Sequence, residues 1–271
     1  MTIPRQRSIE ALCLRSMPLG EQDRLLTVLS DSEGVLRLAA SGARRQGSSL
    51  AAVGPLTLLR GEVQRGRSLG RLSQTKLLRS YTRLGQQLDT LAAGQFLAEL
   101  ALLLVPEGAA LPGLLPLLLH RLEQLEQLLS APEQQRRLES VALAVQGGVQ
   151  LLTMGGYGLP LDTDQADGSP LLPPVGEWSW RCSLLPAEGF HSGAQPGALM
   201  LLNASELALL QRLLRPELPR RANGELMGPE TVWLRLLDLL GHWCREHLGR
   251  CPRALSLLRQ DWPEAAVRNS G

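Results

Sequence analysis

Aromatic residues are scarce, at 3% of a 271-residue chain, and lysine occurs once, as Lys76. Residues 1–83 hold one aromatic, Tyr81, and all five tryptophans lie beyond residue 170. The glycines of a phosphate-cradling P-loop do not precede the lone lysine, which excludes that motif. Cys13, Cys182, Cys244 and Cys251 have no paired spacing and do not read as a disulfide framework. No apolar stretch follows the basic residues of MTIPRQRSIE, so an ordinary signal peptide is not expected. No run reaches the ~18 apolar residues of a membrane span. Glu99, Pro106, Glu107, Pro112 and Pro116 interrupt the most apolar region, 91–120. A cytoplasmic protein with reduced thiols is expected. Catalytic signatures are missing too: there is no Gly-x-Ser-x-Gly elbow. Gly155-Gly156-Tyr157-Gly158 lacks the preceding strand and spacing of a dinucleotide fingerprint. His120, His191, His242 and His247 have no obvious partner that would make one of them a base.

Leucine is abundant, with 63 residues in a chain that is 44% apolar. So much leucine with few β-branched residues leans toward helix. The net charge is +2, but its distribution is lopsided. Residues 1–83 hold 14 Lys/Arg against 6 Asp/Glu, and residues 84–271 hold 14 against 20. A basic first third in a nearly neutral chain points to an anionic partner for that third.

Short apolar segments separated by turn signals fill 8–82: Ser8–Arg15, Asp23–Ser30, Val35–Ala40, Leu56–Gln64 and about Leu69–Arg79. In the third, Val35, Arg37 and Ala39 alternate with Leu36, Leu38 and Ala40, the period of a half-buried strand. Five such strands predict a small barrel or sandwich. Beyond Tyr81 the period becomes helical, with Leu84, Leu88, Leu91, Phe96, Leu100 and Leu103 on one face. Further helices are predicted over Leu114–Leu129, from Pro132 to Met154, from Asn203, from Pro229 to His247 and over Ala254–Gln260. Asn203 and Glu206 have capping-box spacing. Residues 155–198, rich in Gly, Pro and Asp, read as an irregular module. The fold class is α+β: a barrel domain over 1–82, then a mainly helical domain over 83–271 with the module inserted.

Two clusters could hold a metal. Cys244, His247 and Cys251 fall at i, i+3 and i+7, but Gly249 and Pro252 break the helix, and buried helix-face residues are the stronger reading. Asp162, Asp164 and Asp167 lie close in sequence, where a solvated turn is the stronger reading. The basic third carries the more specific signal. Arg44 and Arg45 sit in a loop of glycines and serines, Ser41–Ser49, whose small residues let a phosphate approach. Arg65, Arg67 and Arg71 surround the turn between the fourth and fifth strands, with Arg24, Arg37 and Lys76 as supporting charges. A five-stranded barrel with basic loops is the pattern of a nucleic-acid-binding OB-fold. With one aromatic available, contact should run through phosphates, tolerate any sequence and depend on salt. A nuclease would need clustered carboxylates. The third supplies only Glu10, Glu21, Asp23, Asp31, Glu33 and Glu62.

Leu14 to Ser16, Gly20-Glu21-Gln22-Asp23-Arg24-Leu25-Leu26-Thr27, Gly34, Ser41-Gly42-Ala43-Arg44-Arg45 and Pro55 together resemble the N-terminal OB domain of the RecO family of bacterial recombination mediators. The order of barrel, helices, Gly-rich module and more helix resembles that family over most of the chain. The resemblance implies a non-enzymatic, nucleoid-associated protein that binds single- and double-stranded DNA and anneals complementary strands. The implied partners are RecR, the acidic C-terminal tail of single-strand-binding protein and, indirectly, RecA. Many members carry a zinc ribbon opened by Gly-Tyr-Gly and a Cys-x-x-Cys pair. Here Asp164 and Asp167 stand where that pair would be, and only Cys182 and His191 remain as soft ligands. A degenerate, zinc-free ribbon packed through Trp178, Trp180 and Leu184 is expected, with no cofactor. The alternative reading is an interaction scaffold whose basic barrel binds an acidic protein tail.

Overall fold

The computed structural model describes residues 6–64, 66, 69–174, 176, 177 and 179–260. The chain divides into two compact units, Met1–Leu129 and Ser130–Gly271.

Five strands open the first unit: β1 (Gln6–Leu19), β2 (Asp23–Ser30), β3 (Gly34–Ala40), β4 (Thr57–Gln64) and β5 (Gly70–Ser80). They close into a ring in the order β1-β2-β3-β5-β4. Neighbours run antiparallel except β3 and β5, which pair in parallel. Inward positions follow the period of two. Ile9, Ala11 and Cys13 of β1 meet Leu26 and Val28 of β2, Leu38 and Ala40 of β3, Leu59 and Val63 of β4, and Leu72 of β5. Leucine is a mediocre strand former, but a closed ring rewards any apolar side chain that fills it, and burial overrides propensity. Outside the ring, Leu12 stands opposite Leu29 on β2 and Leu58 on β4. All three are buried. The helix α1 (Leu88–Leu104) packs against β1.

Two features fix the turn between β2 and β3. Gly34 adopts φ +68°, and a Cβ there would lie 2.0 Å from the Ala109 carbonyl oxygen. Asp31 Oδ1 accepts from the Gly113 amide at 2.8 Å, just before α2 (Leu114–Gln127).

The second unit is built on α3 (Glu133–Met154) and α5 (Glu230–Leu248), which pack together. Gln146 and Gln150 of α3 donate to the carbonyls of Leu213, Arg215 and Glu217. They satisfy the chain leaving α4 (Ala204–Arg212), whose last carbonyls have no partner within the helix. Asn203 and Glu206 form the predicted capping box at its other end. The short α6 (Ala254–Gln260) follows α5.

The module is more regular than its composition suggests. Residues predicted to be irregular supply β6 (Arg181–Leu185) and β7 (Gly189–Ser192), which with β8 (Met200–Asn203) form a sheet in the order β7-β6-β8. Strands of four or five residues carry too few positions for a periodicity signal. Cys182, Ser183 and Leu184 are all buried, so β6 does not alternate at all. Trp180 is half-buried, and Trp178 lies outside the described residues.

Candidate nucleic-acid interface

The hairpin joining β1 to β2 and the loop leaving β3 are bonded to each other. Gly42 N donates to Asp23 Oδ1 at 2.7 Å, and Arg44 N donates to the Gln22 carbonyl at 2.8 Å. Arg44 Nη1 donates to the Gly20 carbonyl at 3.1 Å, and Arg45 Nε to Gln22 Oε1 at 2.6 Å. The Gly-Glu-Gln-Asp and Gly-Ala-Arg-Arg segments, about twenty residues apart in sequence, therefore form one structure. Both guanidinium groups are exposed and bind neutral acceptors here. Their orientation is set while their charge stays uncompensated, and each keeps N–H donors for an anion.

A second group of cations lies on the outward face of the ring. Between Cys13 and Arg15 the pairing of β1 with β2 slips by one residue. Before this bulge the odd-numbered residues of β1 point inward; beyond it Arg15 and Met17 are exposed. Arg15 then lies opposite Thr27, which lies opposite Arg37 on β3. The next row reads Met17–Leu25–Ala39–Arg71 across β1, β2, β3 and β5. Arg15, Arg37 and Arg71 are exposed, and none has an ion pair among the described residues. Strict alternation carried on from Cys13 would have buried Arg15, so the sequence reading missed it.

The remaining predicted cations are placed elsewhere. Arg24 Nη1 donates to the carbonyls of Ala51 and Val53, tying the 3-10 helix Ser49–Ala52 to β2. Lys76 stands opposite Arg60 on β4, which is paired at 3.0 Å with Glu10 of β1. Arg65 and Arg67 lie outside the described residues. Four of the six carboxylates a nuclease could draw on are engaged: Asp23 by Gly42, Asp31 by Gly113, Glu33 by Arg7 and Glu10 by Arg60. Burial pushes the thiols of Cys13, Cys182 and Cys244 up to about 12, which leaves them inert as nucleophiles at neutral pH.

The description "Recombination protein O N terminal" matches residues 5–81, and "Recombination protein O C terminal" matches residues 85–256. The chain belongs to the RecO family. The DNA repair protein RecO of Synechococcus sp. (strain WH7803) is 55% identical over 253 residues, 93% of each chain. That of Prochlorococcus marinus (strain MIT 9313) is 56% identical over 255 residues, 94% of this chain and 95% of its own. A more distant RecO, from Synechococcus elongatus, is 32% identical over 265 residues, covering 94% of this chain and 95% of its own. RecO is a family of recombination proteins and not of enzymes.

Against the zinc ribbon of many RecO proteins, this module's residues do not fit a metal. Asp164 is buried, not a solvated turn residue. Its carboxylate accepts the amides of Ala166 at 2.8 Å and Ser192 at 2.7 Å. Burial works against its charge, but these bonds and nearby His191 hold the carboxyl below its usual range. His191 Nδ1 lies 3.8 Å from Asp164, and its Nε2 lies 3.2 Å from Glu188. Asp167 accepts the Ser169 amide. The position of a metal-binding thiolate is thus taken by an anion that binds backbone N–H groups. Among the described residues no three His, Cys, Asp or Glu side chains are placed to share an ion. That includes Cys244, His247 and Cys251: His247 Nε2 lies 2.8 Å from the Pro186 carbonyl oxygen, and its ring contacts Trp243. No helix among the described residues is long and apolar enough to cross a membrane.

Proposed function

We propose that this RecO protein is a cytoplasmic recombination mediator that binds single- and double-stranded DNA through an N-terminal OB-fold barrel and anneals complementary strands. With RecR it helps RecA onto DNA coated by single-strand-binding protein, whose acidic tail it also contacts. The ring order β1-β2-β3-β5-β4 with a parallel β3–β5 pair supports the OB reading. The two family matches, 5–81 and 85–256, support a DNA-binding domain over 1–82 and a helical domain over 83–271. One observation carries the functional reading: Arg44 and Arg45, held by neutral acceptors, adjoin a sheet face bearing Arg37 and Arg71 without ion pairs. A surface of this kind neutralises phosphates on two strands at once, which lowers their repulsion and leaves base pairing to finish the annealing. Arg24 adds charge at the end of the ring, Lys76 adds a longer-range field from its β4–β5 side, and Arg65 and Arg67, outside the described residues, add charge between β4 and β5 in sequence.

Replacing Arg44 and Arg45 together by alanine tests the reading. Affinity for DNA of any sequence should fall, and the slope of log affinity against log salt should flatten by about two. Unchanged affinity at low salt in the folded double variant would overturn the assignment. The scaffold reading uses the same cations. If an acidic peptide binds the protein and DNA does not, the surface serves protein tails instead.

A further inference from the structure

We propose that Cys251 and Cys244 form an oxidation site: hydrogen peroxide converts the Cys251 thiol to a sulfenic acid, and Cys244 resolves it to a disulfide that ties the start of α6 to α5. The site lies in the second unit and is independent of the DNA-binding reading above.

Among the described residues the two thiols do not share a metal with His247, but their placement suits a different chemistry. Gly249 ends α5 at φ +70°, and the chain then folds back along that helix. Arg259 of α6 pairs with Asp238, and Leu255 packs at Gly241. Cys251 Sγ lies 3.7 Å from where a Cβ on Gly241 would stand. Cys244 is three residues further along α5, so its Cβ is about 5–6 Å from that point on the same side of the helix. Burial is the main cause that pushes the Cys244 pKa up to about 12, and charge on Cys251 adds to it. A thiolate on Cys251 is therefore felt at Cys244. Cys251 sits on the non-helical connector between α5 and α6, and a small adjustment of that connector brings the sulfurs together.

The two thiols differ as an oxidised and a resolving cysteine must. Cys251 is the one cysteine of the four that is not buried. Arg250 and Arg253 flank it, and Arg245 acts on the same pair. All three arginines are exposed, and none has an ion pair among the described residues. Residues 239–260 contain a single carboxylate, Glu246. Cationic, partly exposed surroundings favour the thiolate, the form that peroxide oxidises. Cys244 meets the opposite condition. With its pKa near 12, about one molecule in 10⁵ carries the thiolate at pH 7, so it is inert toward peroxide in solution. Held beside a sulfenic sulfur it gains an effective molarity of about 10⁵ M or more, which offsets that deficit.

Peroxide is the sole oxidant. The Cys251 sulfur attacks one peroxide oxygen, the O–O bond breaks, and the departing hydroxide takes up the thiol's proton as water. The Cys244 sulfur then attacks the sulfenic sulfur. The S–S bond forms, the S–O bond breaks, and the Cys244 proton leaves in the second water. Two thiols and one peroxide give one disulfide and two waters.

The test treats the full-length protein with hydrogen peroxide, blocks remaining thiols with iodoacetamide in denaturant and maps tryptic peptides. We expect one bridge, joining segment 236–245 to segment 251–253, while Cys13 and Cys182 take the alkylating group. In Cys244→Ser the reaction should stop at the sulfenic acid, trapped by dimedone on Cys251. In Cys251→Ser, Cys244 should stay a thiol. Arg250→Gln with Arg253→Gln should slow loss of the Cys251 thiol roughly three- to tenfold, because less of it is thiolate. No bridge in the parent protein, dimedone on a cysteine other than Cys251, or equally fast oxidation of Cys244 in Cys251→Ser would overturn the proposal. The bridge is sought in the unaltered chain, so misfolding of a variant cannot account for its absence.

Discussion

Arginine has different jobs in two regions of the molecule. In the second unit three arginines are spent on carboxylates. Arg220 binds Glu139 with two nitrogens, Arg235 pairs with Glu206 at 3.2 Å, and Arg259 pairs with Asp238 at 3.2 Å. On the β1–β2–β3 side of the ring, apart from the Arg7–Glu33 pair at 2.8 Å, the charge is kept. Arg24, Arg44 and Arg45 donate to carbonyl or amide oxygens, and Arg15, Arg37 and Arg71 have no ion pair among the described residues. An arginine paired with a carboxylate locks two elements together; an arginine on a neutral acceptor is positioned without losing its field. Local net charge misses this distinction, because it turns on which atom each guanidinium meets.

The largest effect should come from breaking a spent charge. Glu139 is buried, and its carboxylate accepts from Arg220 and from Gln135. Burial would raise its pKa, but those bonds outweigh it and hold the group below its usual range. Glu139→Ala leaves Arg220, an exposed residue, with the Gly224 carbonyl in place of its carboxylate partner. We expect a loss of about 2–4 kcal/mol in a urea titration, at the lower part of the buried-pair range because Arg220 remains partly exposed. The sign of the pH dependence follows from the lowered pKa. The stabilisation is complete above the unfolded value of 4.5 and is lost as pH falls through the lower folded value. Glu139→Gln should flatten that acid limb. An unchanged limb would mean that the pair does not contribute.

A smaller effect separates charge from geometry on the ring. Asp23 accepts the Gly42 amide and so helps position the Arg44–Arg45 loop. Asp23→Ala leaves that amide unmet, with a cost of about 1–2 kcal/mol in thermal or urea melts. It also removes a negative charge beside the cations. If charge alone mattered, DNA binding would tighten. If the loop must be held in place, binding weakens while the salt slope stays the same. We expect weakening, and fluorescence anisotropy across a salt series would decide.

Much of this was legible from residues, for identifiable reasons. The second strand, Asp23–Ser30, and the last helix, Ala254–Gln260, lie where their periodicities put them, and Asn203 with Glu206 caps α4 as their spacing predicts. Gly249, in the left-handed region, ends α5 as a glycine imposes locally. What stayed hidden depended on pairing. The first strand runs on to Leu19, beyond the predicted Arg15, because β2 continues to pair with it after the bulge. One extra residue in a ladder has no compositional signature, yet it decides which way Arg15 and Met17 face. The roles of Arg24 and of Asp164 were hidden for the same reason. Their partners, Val53 and Ser192, are 29 and 28 residues away.

The smallest effect should come from the opposite side of the ring. Arg60 and Glu10 form an exposed ion pair, with side chains 58% and 45% accessible, beside Lys76 on the neighbouring strand. Exposed pairs of this kind contribute about 0–1 kcal/mol, so Glu10→Ala should leave the melting curve almost unmoved. It should, however, convert a spent charge into a free one. If DNA meets only the β1–β2–β3 side, the freed Arg60 adds at most a weak long-range attraction that disappears at physiological salt. If DNA wraps onto the β4–β5 side, Arg60 and Lys76 join the contact, and the salt slope steepens by about one. We expect an unchanged slope at 0.15 M salt. A steeper slope would extend the interface around the ring and bring Lys76 into it.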